Sequence, residues 1–206
     1  MNRTNKVAWI VFGILAVGVG LYPLAYVFSD GDIGIRLSKS KELLANVSWN
    51  IGFYGHILFG GMALTIGWVQ FSKRFRNANR GRHRLIGRIY VISALVSGIC
   101  GAGIAFFAAG GIVAQLGFLC MAVCWLYFTA NAYRAIKVSD IEKHKVYMIY
   151  SYALCFAAVT LRIWLPLLSL MLGSFIPAYR AAAWLAWVPN VIFAFFWVRR
   201  KGIVIG

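Results

Sequence analysis

The sequence has few charged residues and very few acidic ones. Only 13 % of its 206 residues are charged and 62 % are hydrophobic, whereas about 25 % charged residues are usual in a soluble domain. A soluble domain of this size could not bury so much apolar surface, which excludes a water-soluble enzyme. Disorder is also excluded, because disordered chains have low hydrophobicity. Six transmembrane helices of roughly 20 residues each would fit the chain and leave short loops.

The apolar runs predict an all-α, polytopic integral membrane protein, a six-transmembrane-helix bundle that forms a single domain over residues 1–206. The predicted spans are about 7–28, 51–71, 85–108, 112–133, 146–168 and 178–198. Pro23 predicts a kink in the first span, and Pro166 predicts the end of the fifth. Residues 37–46 could form a short amphipathic helix on the membrane surface. The first span has no clear cleavage site, so we expect an uncleaved signal anchor.

Positive charge is concentrated on one side of the predicted bundle. The net charge is +16, and the loop 72–88 alone holds seven Lys or Arg residues. With the N-terminus inside, sixteen of the 21 basic residues lie in inside segments and four in outside segments. The positive-inside rule therefore places both N- and C-termini of this multi-pass protein in the cytoplasm. The basic face favours anionic lipid headgroups as partners, rather than nucleic acid.

Several kinds of chemistry lack the residues they need. No Asp or Glu lies inside a predicted span, which argues against a proton pump or cation carrier built on an intramembrane carboxylate. The four cysteines all fall in apolar spans, where they are small packing residues rather than disulfide partners. No nucleophile with an adjacent base is visible, so no catalytic residue is predicted. Whether the protein is an enzyme and whether it holds a metal stay open.

Two of the three histidines lie at the inner surface. His83 and His144 each precede an outward-running span at the same depth, so they can be neighbours. Two facing imidazoles are the axial ligands of a b-type haem, whereas a zinc site would need three or four ligands. The pair is thus a candidate haem-binding site. One alternative is that the two histidines bind a lipid headgroup or another anion. The other is that they have no ligand and only extend their polar ends to the membrane interface.

The third histidine has a different candidate partner. His56 lies about 8 Å below the outer surface in the second span, and Arg162 lies about 9 Å deep in the fifth. A charge inside a span indicates a functional site, so the two residues predict a ligand-binding pocket open to the outer side. Three further polar residues could contribute to it: Gln115, Thr160 and Asn190. Such a pocket would suit a quinone carbonyl, a carboxylate or a lipid phosphate. The alternative is that Arg162 binds no ligand and only extends towards the outer surface or caps helix carbonyls.

Small residues recur at helical spacing in the spans. Ser93, Ser97 and Gly101 are spaced four residues apart in the third span, and Gly60 and Gly67 lie on one side of the second. Such stripes let helices approach closely in lipid. We interpret them as packing surfaces rather than as sites.

Three sequence elements are more specific than composition. They are a histidine in a Gly-rich helix, the segment HRLIGRIY, and the segment EKHKVYMIYSYALCFAAVTLR. Over about residues 50–170 the chain resembles an uncharacterised bacterial membrane-protein family, domain of unknown function 2306. The positions that carry the resemblance are His56, His83, Arg84, Gly87, Arg88, Tyr90, His144, Met148, Tyr152, Ala153, Leu154, Ala157, Ala158, Val159, Leu161 and Arg162.

The resemblance implies a location in the bacterial inner membrane and directs attention to the three histidines and Arg162, but it implies no activity. This sequence has Lys145 and Tyr150 where the family pattern has arginine, and Tyr147 where it has tryptophan. The loss of the second arginine weakens the case for an anion site at the inner surface.

Two functional hypotheses follow from these residues. The first is a redox-linked membrane protein that binds a b-type haem or a quinone. The alternative is a non-enzymatic protein that binds a lipid or anion, or an accessory subunit of a larger membrane complex. A transporter fits least, because Pro23 and Pro189 give only weak interruptions and no clear pair of broken helices is visible.

Overall fold

The computed structural model describes residues 3–29 and 31–202, and within them every regular element is a helix. The α-helices are α1 Arg3–Leu21, α2 Pro23–Phe28, α3 Lys41–Ala45, α4 Val47–Gly67, α5 Lys73–Ala78, α6 Arg80–Ala105, α7 Ile112–Lys137, α8 Ile141–Cys155, α9 Ala157–Leu172, α10 Phe175–Leu185 and α11 Val188–Arg200. Two 3₁₀ turns cover Gly34–Ser38 and Trp68–Phe71.

Within the described residues, six helical segments are long and apolar enough to cross a membrane. They are Lys6–Phe28, Val47–Phe71, Arg80–Ala105, Ile112–Lys137, Ile141–Leu172 and Phe175–Arg200. The predicted all-α, six-span membrane fold is therefore confirmed, while the orientation of the termini stays a prediction. We call the end with residues 72–79, 138–140 and 199–201 the basic end. The end with residues 29–46, 106–111 and 173–174 is the opposite end.

Short polar side chains begin the helices at the loops. The side chains of Asn46, Asn79 and Asp140 accept hydrogen bonds from backbone N–H groups in the first turns of α4, α6 and α8, at 2.9, 2.9 and 3.0 Å. These bonds satisfy donors that a helix start leaves without an intrahelical partner. The predicted surface helix over 37–46 is shorter than expected, since only Lys41–Ala45 is α-helical.

Three spans bend at short interruptions. The breaks lie at Tyr22, at Phe156 and at residues 186–187. The first and last stand beside Pro23 and Pro189, where the sequence indicates weak interruptions, but the sequence does not indicate the break at Phe156. The predicted end of the fifth span at Pro166 is wrong, because α9 continues through this proline to Leu172. In a bundle, neighbouring groups can satisfy the backbone carbonyl that a proline leaves unpaired.

The centre of the bundle packs through small residues and buried hydroxyls. A Cβ on Gly60 of α4 would lie 2.8 Å from the Ser97 Oγ of α6, so the glycine permits the close approach of these helices. Ser151 of α8 lies 2.8 Å from the Tyr90 hydroxyl of α6 and 2.7 Å from the Thr129 hydroxyl of α7. All three hydroxyl residues are fully buried, and their mutual hydrogen bonds join α6, α7 and α8.

Candidate functional site

His56 and Arg162 line the same cavity in the half of the bundle near the opposite end. The cavity has a volume of about 500 Å³, and its walls come from α1, α2, α4 and α6 to α10. Most lining residues are apolar, and none of those described is an Asp or Glu. The structure thus brings together the two residues that the sequence pairs by depth. Small-molecule sites commonly have this size and a few convergent polar groups.

Ser97 orients His56. The His56 Nδ1 lies 3.0 Å from the Ser97 backbone oxygen, and because a carbonyl only accepts, Nδ1 carries the hydrogen and donates it. The Ser97 hydroxyl in turn donates to the His56 carbonyl at 2.8 Å. In the neutral imidazole, Nε2 therefore carries the lone pair and accepts hydrogen bonds.

Gly101 provides the space that the His56 ring occupies. A Cβ at this position would lie 2.7 Å from His56 Nδ1, closer than real Cβ contacts come. Ser97 and Gly101 belong to the small-residue stripe that the sequence indicates as a packing surface. Their second role was missed because the periodicity of a stripe does not reveal which side chain faces it.

Arg162 projects from α9 towards α1 and α2. Its Nη1 donates to the Ala158 carbonyl of its own helix at 2.9 Å, and its Cζ lies 4.7 Å from the centroid of the Tyr22 ring. The side chain is exposed and forms no salt bridge within the described part of the chain. A guanidinium has five N–H donors, so most of them remain available to a ligand at the cavity.

Two tryptophans contribute ring surface to the cavity walls. Trp49 and Trp125 both line it and are 4 % and 5 % exposed. Their indole N–H groups have almost no accessible surface and no hydrogen-bond partner among the described residues. The main polar groups that the cavity offers are therefore the donors of the Arg162 guanidinium and the acceptor at His56 Nε2.

Lys39 closes part of the cavity from the loop at the opposite end. Its Nζ donates to the Phe107 carbonyl, which links the 29–46 loop to the connection between α6 and α7. Burial lowers the pKa of the Lys39 ammonium below its ordinary value, because the charged form loses hydration. This lining residue carried no signal in the sequence, since its loop position depends on the tertiary contact.

The three polar residues expected to join this pocket lie elsewhere, and that expectation was wrong. Asn190 donates to the Thr160 hydroxyl at 3.1 Å, and Thr160 donates to the Ala186 carbonyl, so both serve contacts between spans. Gln115 donates to the Phe106 carbonyl at 2.9 Å. Their depth matched that of the pocket, but their helix faces point to other neighbours.

His83 and His144 lie near the basic end, on α6 and α8. Each stands seven residues before a member of the Tyr90–Ser151 hydrogen-bonded pair. Seven residues are two helical turns, about 10.5 Å, which return to the same helix face. Because these alternate spans run in the same direction, the two histidines lie at a similar depth, on the helix faces that carry Tyr90 and Ser151.

The ring nitrogens of the two histidines differ in their partners. The His144 Nδ1 donates to the Ala132 carbonyl at 2.8 Å, which leaves Nε2 as an acceptor or ligand atom. The His83 Nδ1 is buried and has no hydrogen-bond partner among residues 3–29 and 31–202. Neither histidine lines either of the two cavities described here, and the described residues contain no cluster of three or more metal-binding side chains.

The fold and this cavity define a class: a six-span helical membrane protein with an internal, mostly apolar cavity near one end. The chain belongs to the family described as "Predicted membrane protein (DUF2306)", which matches residues 53–198, more than half of its length. This confirms the resemblance carried by the motifs, and the match extends past residue 170 into the last span. No curated protein and no solved structure matches the chain.

Proposed function

We propose that this protein binds a quinone-class lipid in the cavity, with the ring held between His56 and Arg162. One observation carries the proposal: a hydrogen-bond acceptor and a cationic donor line a single cavity with otherwise mostly apolar walls. A quinol hydroxyl can donate to His56 Nε2 while the ring oxygen across from it accepts from Arg162. The apolar walls suit the ring and the first part of its tail.

The proposed site favours the reduced, quinol form. An oxidised quinone has two carbonyl oxygens and no hydrogen to donate, so it can use Arg162 but not the lone pair of His56. A lipid carboxylate or phosphate would likewise use Arg162 but not the lone pair of His56. Dependence on His56 therefore separates a quinol from an anionic lipid.

The test is ligand binding to the full-length protein in mild detergent, with decylubiquinol, decylubiquinone and decanoate as probes. We expect decylubiquinol to bind most tightly and His56→Phe to weaken it about tenfold or more, since a buried acceptor–donor pair is lost. Arg162→Gln should weaken both decylubiquinol and decylubiquinone. Arg180→Gln is the matched control: it also removes one charge near the opposite end, but Arg180 bonds the Gly110 carbonyl instead of lining the cavity.

Two results would contradict quinol binding. Decanoate could bind more tightly than decylubiquinol and be insensitive to His56→Phe, which would identify the cavity as an anionic-lipid site. Alternatively, decylubiquinol could bind equally well to His56→Phe and Arg162→Gln, which would place its binding outside this cavity.

The register of α6 and α8 favours a second candidate function, ligation of a b-type haem by His83 and His144. The backbone hydrogen bond of His144 Nδ1 is the contact that commonly orients a ligating imidazole. Because neither of the two cavities adjoins the pair, haem binding would require α6 and α8 to separate near the basic end.

A reduced-minus-oxidised absorption spectrum of protein purified from haem-sufficient cells tests this candidate. We expect a sharp α-band with about one haem per chain, lost in His144→Gln and retained in His56→Gln. A flat spectrum of the unmodified protein would exclude haem ligation by the pair.

A further inference from the structure

A second cavity forms an open groove on the outside of the bundle, between α7, α8 and α11. Its volume is about 710 Å³, and it lies in the half of the bundle next to the basic end. Aromatic and aliphatic side chains form its walls: Tyr127 and Phe128 from α7, Tyr147 and Tyr150 from α8, and Ile192 and Phe195 from α11. The Phe128 ring stacks on the Tyr150 ring with centroids 4.7 Å apart, which makes one wall flat.

The deep end of the groove lies about one leaflet's depth below the end of α11. Its deepest residue on α11 is Val191, nine residues before Arg200 at the end of the helix. This distance is about 13.5 Å at the helical rise. Half of the hydrocarbon core of a bilayer is about 15 Å thick. An acyl chain lying in the groove would therefore have its headgroup level with the end of α11.

Positive charge stands at that end of the groove. The Arg199 Cζ lies 4.9 Å from the centroid of Phe195, a ring that lines the groove, and Arg200 and Lys201 follow it. None of these three residues forms a salt bridge within the described part of the chain.

The acidic residues near this end are already paired. Asp140 forms a salt bridge with Lys143, and Glu142 forms one with Lys145. The basic rim of the groove is therefore not neutralised by these carboxylates, and it attracts anionic groups.

We propose that this groove is a binding site for an anionic phospholipid, with an acyl chain along the aromatic walls and the phosphate held by Arg199 and its basic neighbours. A second copy of the chain fits less well, because two copies joined symmetrically at this groove would bring their identical basic rims together. The site is independent of the cavity lined by His56 and Arg162 and lies at the other end of the bundle.

Native mass spectrometry of the full-length protein tests the headgroup contact. The probes are phosphatidylglycerol and phosphatidylcholine with the same acyl chains. We expect the unmodified protein to retain phosphatidylglycerol preferentially. The triple variant Arg199→Gln, Arg200→Gln, Lys201→Gln should lose on the order of tenfold or more in affinity for phosphatidylglycerol, since each basic residue near an anionic surface contributes to binding. Its affinity for phosphatidylcholine should change little.

A matched triple variant removes the same charge from the same end but away from the groove. Arg74, Arg76 and Arg80 lie on α5 and at the start of α6, outside the groove lining. Changing all three to glutamine should leave the preference for phosphatidylglycerol intact. An equal loss in both triple variants would overturn the proposal, because it would mean attraction by overall charge without a site.

A groove-filling variant tests the acyl-chain contact. Ile192 is 51 % exposed on α11, so Ile192→Trp can fill the groove without disturbing the core. We expect it to reduce retained phosphatidylglycerol while Arg199 is unchanged. Undiminished retention would overturn the proposal. A dimer of the unmodified protein that Ile192→Trp dissociates would identify a second copy as the occupant instead.

Discussion

Ser97 determines which nitrogen of His56 keeps its lone pair. Its carbonyl accepts the hydrogen of Nδ1 at 3.0 Å, so the lone pair stays on Nε2 and the ring is held by α6 rather than by its own helix. An imidazole with one nitrogen committed in this way is a pre-oriented acceptor. The pairing is possible only because Gly101, one turn further along α6, leaves room for the ring.

We predict that Gly101→Ala disturbs the site, whereas Gly103→Ala on the same helix does not. The new Cβ at residue 101 would lie 2.7 Å from His56 Nδ1, while none of the surrounding atoms lies within 4 Å of a Cβ at residue 103. Overpacking of this kind costs about 1–3 kcal/mol. Thermal unfolding in detergent should show a lower midpoint for Gly101→Ala only. Equal midpoints for the two variants would mean that the ring moves aside freely.

At the scale of elements, the loop over residues 29–46 is held across the opposite end by contacts with the bundle. Tyr26 accepts a hydrogen bond from the Ile35 N–H, and the Lys39 side chain reaches the Phe107 carbonyl. The short 3₁₀ turn and α3 cannot bury much apolar surface by themselves. Their position therefore depends on these contacts to the bundle, which sequence periodicity does not encode.

We predict that the stability contributed by Lys39 rises with pH. Burial lowers its pKa from the ordinary value of 10.5, so between the folded-state pKa and 10.5 the unfolded chain binds more protons than the folded protein. Stability increases with pH in such a window. The unfolding midpoint of the unmodified protein, relative to Lys39→Met, should increase as pH is raised from 7 towards 10.5.

Lys41→Met is the control for this measurement, because Lys41 is exposed in the same loop. It should show no comparable trend relative to the unmodified protein. If the difference between the unmodified protein and Lys39→Met were independent of pH, the Lys39 ammonium would not be desolvated in the folded state.

At the scale of the whole molecule, charge and cavities are arranged along one axis. The described loops of the basic end carry dense positive charge, whereas the cavity lined by His56 and Arg162 lies in the other half of the bundle. The lipid groove adjoins the basic end, and the proposed quinol site adjoins the opposite end. The two proposed sites therefore face different membrane surfaces.

The charge distribution predicts that both termini are cytoplasmic. A green fluorescent protein fused after Gly206 should fluoresce, and alkaline phosphatase fused at the same position should be inactive. A fusion of alkaline phosphatase in the 29–46 loop should be active. Active phosphatase at the C-terminus would reverse the orientation and place the His56 cavity near the cytoplasmic side.

The sequence by itself determined the class of this protein. A long apolar run is stable in lipid regardless of which other spans it packs against. Composition and run length were therefore enough to predict six helical spans. Depth along a straight helix also follows from counting residues. The sequence alone therefore places His56 and Arg162 at a similar depth. The same counting predicted the pairing of His83 with His144.

Only the tertiary structure decided which helix faces meet. Depth does not specify rotation about the helix axis. Thr160 and Asn190 therefore matched the pocket in depth, but they face each other and form a hydrogen bond between the fifth and sixth spans. The same freedom hid the second role of Ser97, and a loop contact brought Lys39 to the cavity. These positions follow from packing among all the spans, and no single span contains that information.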